Sequence, residues 1–229
     1  MYKYLLFLIT SLLLSCSPPK KYENLPEVLA WENEIQQFEQ LDKSVGYSKD
    51  AIMFAGSSSI RRWATIEKDM EPYSVIQRGY GGAKLSDFAV FVNRILNPHQ
   101  CKAIVLFLAN DIIGSDQDRT PREVELLFRF VLKQIRKKHP ETPVFWISVT
   151  PTPSRWKAWP QVKEAGRLIE EVCNKNKNTY YIKTEFAFLN ESGIPKDELF
   201  VSDMLHLNEK GYALWTEIIK KKLNDIINI

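Results

Sequence analysis

Short, almost unbroken apolar runs alternate along this chain with longer stretches in which apolar residues return every three or four positions. AIMFA (51–55), AIVLFL (103–108) and VFWISV (144–149) are of the first kind, joined by SVIQ (74–77) and, more weakly, YYI (180–182). A short apolar run without polar alternation marks a strand covered on both faces, as in a parallel sheet. The helical period fills the intervals 26–41, 86–96, 121–138, 161–175 and 208–227. In the first of these Val28, Leu29, Trp31, Ile35, Phe38 and Leu41 share the period, and Pro26 suits a first helical turn. Strand and helix alternate throughout, which predicts βαβ units and one three-layer α/β/α domain with a mostly parallel sheet of about five strands. No internal repeat, low-complexity segment or second domain interrupts the pattern.

The N-terminus departs from it. Met1-Tyr2-Lys3 and the apolar run 4–14 have the charged start and short apolar core of a secretory signal, too short for a membrane span. The run ends in Leu13-Leu14-Ser15-Cys16, which resembles a bacterial lipobox. That resemblance implies cleavage after residue 15 and lipid on Cys16. Residues 1–15 are therefore expected to be a signal peptide, 16–25 a lipidated N-terminus and tether, and 26–229 the folded domain. The expected location is an exported protein, lipid-anchored to a bacterial membrane and facing the periplasm. Of the three cysteines in the chain, this leaves Cys101 and Cys173, expected as two buried thiols rather than a disulfide framework.

Composition adds limits rather than a function. At 229 residues, 45% hydrophobic and 26% charged, the chain has the make-up of an ordinary globular domain. A net charge of +3, with both signs interspersed, gives no basic groove for nucleic acid and no polybasic membrane patch.

The chemistry gathers in the loops that such a sheet carries beyond the carboxyl ends of its strands. Gly56-Ser57-Ser58-Ser59 follows the first strand, Arg78-Gly79-Tyr80-Gly81-Gly82 the second, Ala109-Asn110-Asp111 the third and Thr150-Pro151-Thr152-Pro153 the fourth. Ser202-Asp203-Met204-Leu205-His206 precedes the last helix. The chain has three histidines. His139, in KKHP, reads as a helix C-terminal residue whose imidazolium would meet the negative end of the dipole, and His99, in NPHQ, as part of a polar turn. His206, three positions after a carboxylate, is placed as a base. A serine hydroxyl needs such a base to attack, and glycine amides or an asparagine side chain can receive the oxyanion that results. Taken singly, each motif also reads as a turn, a loop or a helix cap.

In their order along the chain, IMFAGSSSI, RGYGGA, LFLANDI and SDMLHLNEKGY resemble the four sequence blocks of the SGNH hydrolases, the GDSL-like esterases and lipases, over residues 51–223. The resemblance implies a flavodoxin-like α/β/α fold and a serine esterase that works without metal or organic cofactor. It also implies Ser58 as nucleophile, Asp203 and His206 as its triad partners, and Ser58, Gly82 and Asn110 as oxyanion donors. Two positions depart from the family pattern: Ser57 replaces the usual aspartate, and Leu108-Ala109 stands where the third block begins with glycine. The first departure leaves Ser57 and Ser59 as rival nucleophiles. The absence of Gly-x-Ser-x-Gly, and an acid and base that share one loop, separate the chain from the α/β-hydrolases.

Trp156 and Trp159, in RWKAW after the fourth strand, are candidates to stack on a sugar or cover an acyl chain, or to pack in the core. The expected partners are a small-molecule or glycan ester, O-acetyl groups on glycans among them, and the membrane through Cys16. A lysophospholipase or thioesterase is the enzymatic alternative. A binding lipoprotein that cradles an anion on the Gly56–Ser59 amides is the non-enzymatic one, and it has no need of Asp203 and His206.

Overall fold

The computed structural model describes residues 18–227. The expected signal peptide and Cys16 lie outside the described residues. Five strands, β1 (Ile52–Gly56), β2 (Val75–Gly79), β3 (Ala103–Phe107), β4 (Val144–Ile147) and β5 (Thr179–Ile182), form one sheet in the order β2-β1-β3-β4-β5. Every pairing is parallel. The five longer helices are α1 (Glu32–Ser44), α2 (Leu85–Leu96), α3 (Pro121–Lys138), α4 (Trp159–Lys175) and α5 (Glu209–Ile227).

The period-two geometry of a strand sorts the apolar runs into two cores. Met53, Ala55, Ile104, Leu106, Val144 and Trp146 face Phe88, Val92, Phe128, Val131 and Ile169 on α2, α3 and α4. From the opposite face Ile52, Phe54, Val105, Phe107, Phe145 and Ile147 meet Trp63 and, on α5, Trp215, Ile219 and Leu223. Trp215 is fully buried, with ring centroids 4.8 Å from Phe107 and 5.8 Å from Trp63. Truncating such a side chain to Ala costs about 3–5 kcal/mol.

The elements start and stop where local chemistry directs. Thr120 caps α3 and exchanges hydrogen bonds with Glu123, with Pro121 at the first helical position. The Asn208 side chain accepts from the amides of Lys210 and Gly211 and so caps α5, which begins at Glu209. The continuous helix expected over 26–41 is broken: Pro26–Leu29 forms one turn, and the chain re-enters the helix at Glu32 after Trp31, whose ring packs 5.3 Å from Tyr80.

Both remaining histidines are buried. His99 is not in an open turn: its Nε2 lies 3.2 Å from Asp42, which also pairs with the buried Arg78 of β2. His139 does end α3, but it packs inside with Nε2 3.3 Å from the Leu96 carbonyl. Burial pushes its pKa down, so it is a neutral side chain in the core rather than a cation on the helix dipole. Cys101 and Cys173 are free, buried thiols, and burial pushes both up to about 12.

Candidate active site

β1 and β3 lie side by side, and the chain leaves them in opposite directions across the sheet. That is the switch point, where a crevice opens beyond the strand ends. Gly56 closes β1 at φ 150°, and a Cβ there would stand 1.9 Å from the Phe107 carbonyl oxygen of β3. Only glycine lets the chain turn out of the sheet this close to its neighbour. The turn delivers Ser57, extended and buried, and then a one-turn helix, Ser58–Arg61.

The structure brings Ser58 to His206, with Oγ and Nε2 2.9 Å apart. Ser57 and Ser59 make no such contact: Ser57 is 1% exposed, and Ser59 offers its carbonyl to the Tyr212 hydroxyl at 2.9 Å. α5, which carries Tyr212, thus braces the serine turn from below.

Val201–Asn208 is held as a compact loop. The Val201 amide donates to His206 O at 2.9 Å, and the Met204 amide donates to Val201 O at 2.9 Å. Met204 takes a positive φ of 55°, and its carbonyl accepts from the Ser154 amide at 3.1 Å. Inside this loop Asp203 Oδ1 accepts from the amides of Leu205 and His206, both at 2.9 Å, and Oδ2 lies 2.7 Å from His206 Nδ1. Partial burial works to raise the Asp203 pKa, but these three donors outweigh it and hold the carboxyl at about 2. An ionised Asp203 fixes the proton on Nδ1. Nε2 is left to accept from the Ser58 hydroxyl. Arg62 Nη1 stands 3.8 Å from Asp203 Oδ2 with both side chains near half-exposed, a contact of little energetic weight.

Asn110 follows β3 and lines the same cleft as Ser58 and His206. Its Nδ2 donates to the Ala83 carbonyl at 2.9 Å, and its Oδ1 accepts from Arg155 Nη1 at 2.9 Å. With both ends engaged the amide cannot flip, and one N–H remains for another acceptor. Gly82, at φ 70°, occupies the turn just before Ala83. Its Cα side faces the Trp31 ring rather than the cleft wall. The Ser58 amide, at a first helical position, has no i−4 carbonyl to bond.

Two supporting residues escaped the sequence reading. Arg155 belongs to the RWKAW segment, where the tryptophans drew attention; its Nη1 also donates to Ala109 O at 3.2 Å. Among the described residues it has no carboxylate partner. Asp111, buried, accepts from the Leu85 amide at 2.6 Å and anchors the start of α2; burial raises its pKa to about 6. An Asn-Asp pair after an apolar strand was the available signal for Asp111. For Arg155 no local pattern exists. Of the tryptophans, Trp159 lines the cleft and Trp156 does not; Trp156 stacks on Trp159 at 5.9 Å between centroids and 16° between planes. The cleft opens to solvent and, with the open space at its mouth included, measures about 560 Å³.

A three-layer domain with serine, histidine and aspartate in hydrogen-bonded series beyond its switch point has the architecture of a hydrolase. Residues 44–214 match the model of the GDSL-like Lipase/Acylhydrolase family, and the chain belongs to that family. Among curated proteins none matches it in sequence. Solved structures share the fold at low identity. A Streptococcus pneumonia protein provisionally named as a platelet activating factor aligns at TM-score 0.75 and 16% identity, over 89% of this chain and 97% of its own. The lipase/acylhydrolase of Enterococcus faecalis aligns at TM-score 0.64 and 21% identity, over 77% and 96%. A carbohydrate esterase family 3 member from Talaromyces cellulolyticus aligns at TM-score 0.60 and 16% identity, over 78% and 98%.

Proposed function

We propose that this hydrolase is a serine esterase that cleaves carboxylic esters through an acyl-enzyme, with Ser58, His206 and Asp203 as its triad. The observation that carries the reading is the series Ser58 Oγ, His206 Nε2, His206 Nδ1, Asp203 Oδ2, spaced 2.9 Å and 2.7 Å at its two hydrogen bonds. Nε2 takes the Ser58 proton as Oγ attacks the ester carbonyl. The imidazolium then gives that proton to the leaving alcohol, and Asp203 stabilises the cation without itself being protonated. Water repeats the sequence to release the acid. The amides of Ser58 and Gly82 and the free Asn110 N–H receive the oxyanion, as the family resemblance implies. Arg155 holds Asn110 in the orientation this requires.

O-acetyl groups on glycans are the favoured substrates, handled by a protein exported and anchored through lipid on Cys16. The stacked Trp156–Trp159 pair beside the cleft supports a sugar-bearing substrate. A phosphate cradle on the serine turn would leave the ordered Asp203–His206 pair without a purpose. Reaction with a fluorophosphonate, followed by peptide mapping, tests the proposal. The adduct is expected on Ser58, and Ser58→Ala should lose both labelling and hydrolysis of a short-chain aryl ester. An adduct on Ser57 or Ser59, or an unlabelled wild type, would overturn it.

A further inference from the structure

A second groove, of about 780 Å³, adjoins the catalytic cleft and shares Val149, Trp159 and Val162 with it. It lies beyond the carboxyl ends of β4 and β5, on the edge of the sheet that carries Ser58. Its charged lining is balanced: Lys163, Arg167 and Lys183 against Glu164, Glu170 and Glu185. Most of these charges satisfy one another, with Arg167 on Glu164 at 2.7 Å and Lys183 on Glu170 at 2.8 Å. Lys163 and Glu185 are left without an ion-pair partner among the described residues, one charge of each sign, so the groove carries no net charge toward a ligand.

Two features remain unspent. Glu185 lines the groove, and its carboxylate accepts no hydrogen bond and forms no ion pair among the described residues; Oε2 is closed off from solvent, so Oε1 is the oxygen a ligand can reach. A carboxylate in that state calls for a donor. Next to it Phe186 is 64% exposed, and Trp159 stands on the shared wall with Trp156 stacked behind it. Aromatic faces suit the C–H faces of a sugar ring, and an acceptor carboxylate suits its hydroxyls. An acyl chain would leave Glu185 unsatisfied, and a phosphate would meet its negative charge.

We infer that this groove is the leaving-group subsite for a neutral glycan, with Phe186 and Trp159 as platforms and Glu185 accepting a sugar hydroxyl. This rests on the esterase reading for its catalytic consequence, but binding can be read without turnover. The experiment uses the Ser58→Ala protein in saturation-transfer NMR with a panel of neutral O-acetylated oligosaccharides derived from xylan and mannan. The active enzyme is assayed in parallel on the same panel and on an aryl acetate. At least one oligosaccharide should bind, and Phe186→Ala and Glu185→Gln should each weaken it. In the active enzyme each substitution should lower the ratio of oligosaccharide to aryl acetate kcat/KM about tenfold, chiefly through KM. A panel that neither binds nor outcompetes the aryl ester overturns the inference while leaving the esterase intact. So does a ratio unmoved by both substitutions, or a preference for lysophospholipid that depends on Phe186. Absence of all ester hydrolysis, with oligosaccharide binding retained, would instead fault the catalytic reading and keep the subsite.

Discussion

Replacing Arg155 with Met should show how much of the oxyanion hole is borrowed orientation. The substitution keeps an apolar stem of similar reach but removes the donor that holds Asn110 Oδ1 at 2.9 Å. A hydrogen bond to a charged group contributes about 1.5–3 kcal/mol, so the Asn110 amide loses an anchor worth roughly 10- to 100-fold in its population of the productive rotamer. The Ala83 carbonyl still holds Nδ2 at 2.9 Å, so some orientation survives. The ceiling is the loss of the donor itself, about 10²–10³-fold in kcat, which Asn110→Ala should approach. The assay is steady-state hydrolysis of a short-chain aryl ester at a pH on the activity plateau, with kcat and KM separated. Arg155→Met should lower kcat about 10- to 100-fold and leave KM within about threefold, because the oxyanion exists only past the ground state. Arg155→Lys should fall between. In the double variant with Asn110→Ala, the Arg155 effect should nearly vanish, since there is no amide left to orient. Full additivity of the two substitutions, or a loss confined to KM, would refute the positioning argument.

Further outcomes follow from the same geometry. Asp203→Asn should lower kcat on the order of 10⁴-fold, because Nδ1 is no longer held as the protonated nitrogen, and His206→Ala should do at least as much; near-normal ester turnover in either would remove the triad. Asp203, held at about 2, contributes stability that is complete above the ordinary carboxylate value of about 3.9 and is lost as pH falls through about 2. That contribution is constant above about pH 4, so the circular dichroism spectrum should stay unchanged at mildly acidic pH; unfolding there that is absent from Asp203→Asn would contradict this. Gly56→Ala should destabilise by about 3 kcal/mol, a fall in Tm of about 6–12 °C, because the added methyl meets the Phe107 carbonyl at a positive φ. Cys16→Ala should move the protein out of the membrane fraction, and an unmodified Cys16 thiol in the mature native protein would end the lipoprotein proposal.

The layers of the fold were legible because burial on both faces leaves its mark on every residue of a strand. AIMFA and AIVLFL have no other use than as central strands, and both are. The edges read less well. β2 extends to Gly79 through Gln77 and Arg78, polar residues whose burial depends on the Ile60 and Trp63 carbonyls and on Asp42, distant partners that no local window reveals. The same limit applies to the histidines. His99 and His139 sit in polar sequence, and their burial comes from elements that meet only in three dimensions. In the candidate site, Asp203 and His206 were visible because the loop that joins them is local, three residues long, and closes on its own amides. Arg155 was not, because its partner Asn110 lies 45 residues earlier in the chain.

Choosing among three consecutive serines shows what the fold adds to a motif. The register follows from Gly56, which must stand at the end of β1 because only it tolerates the Phe107 carbonyl. The Ser57 amide then donates to that same carbonyl at 2.9 Å, which binds Ser57 to the sheet, where it is buried and makes no hydrogen bond to His206. Ser58 is the first residue released from the sheet, and it begins a helical turn. Ser59 has rotated about 100° further round that turn, and its carbonyl is taken by Tyr212. The family's aspartate, replaced here by Ser57, is thus not needed to present the next side chain. Strand pairing on one side and α5 on the other do so, leaving the Ser58 hydroxyl, among the described residues, with one hydrogen-bonding neighbour, Nε2 of His206.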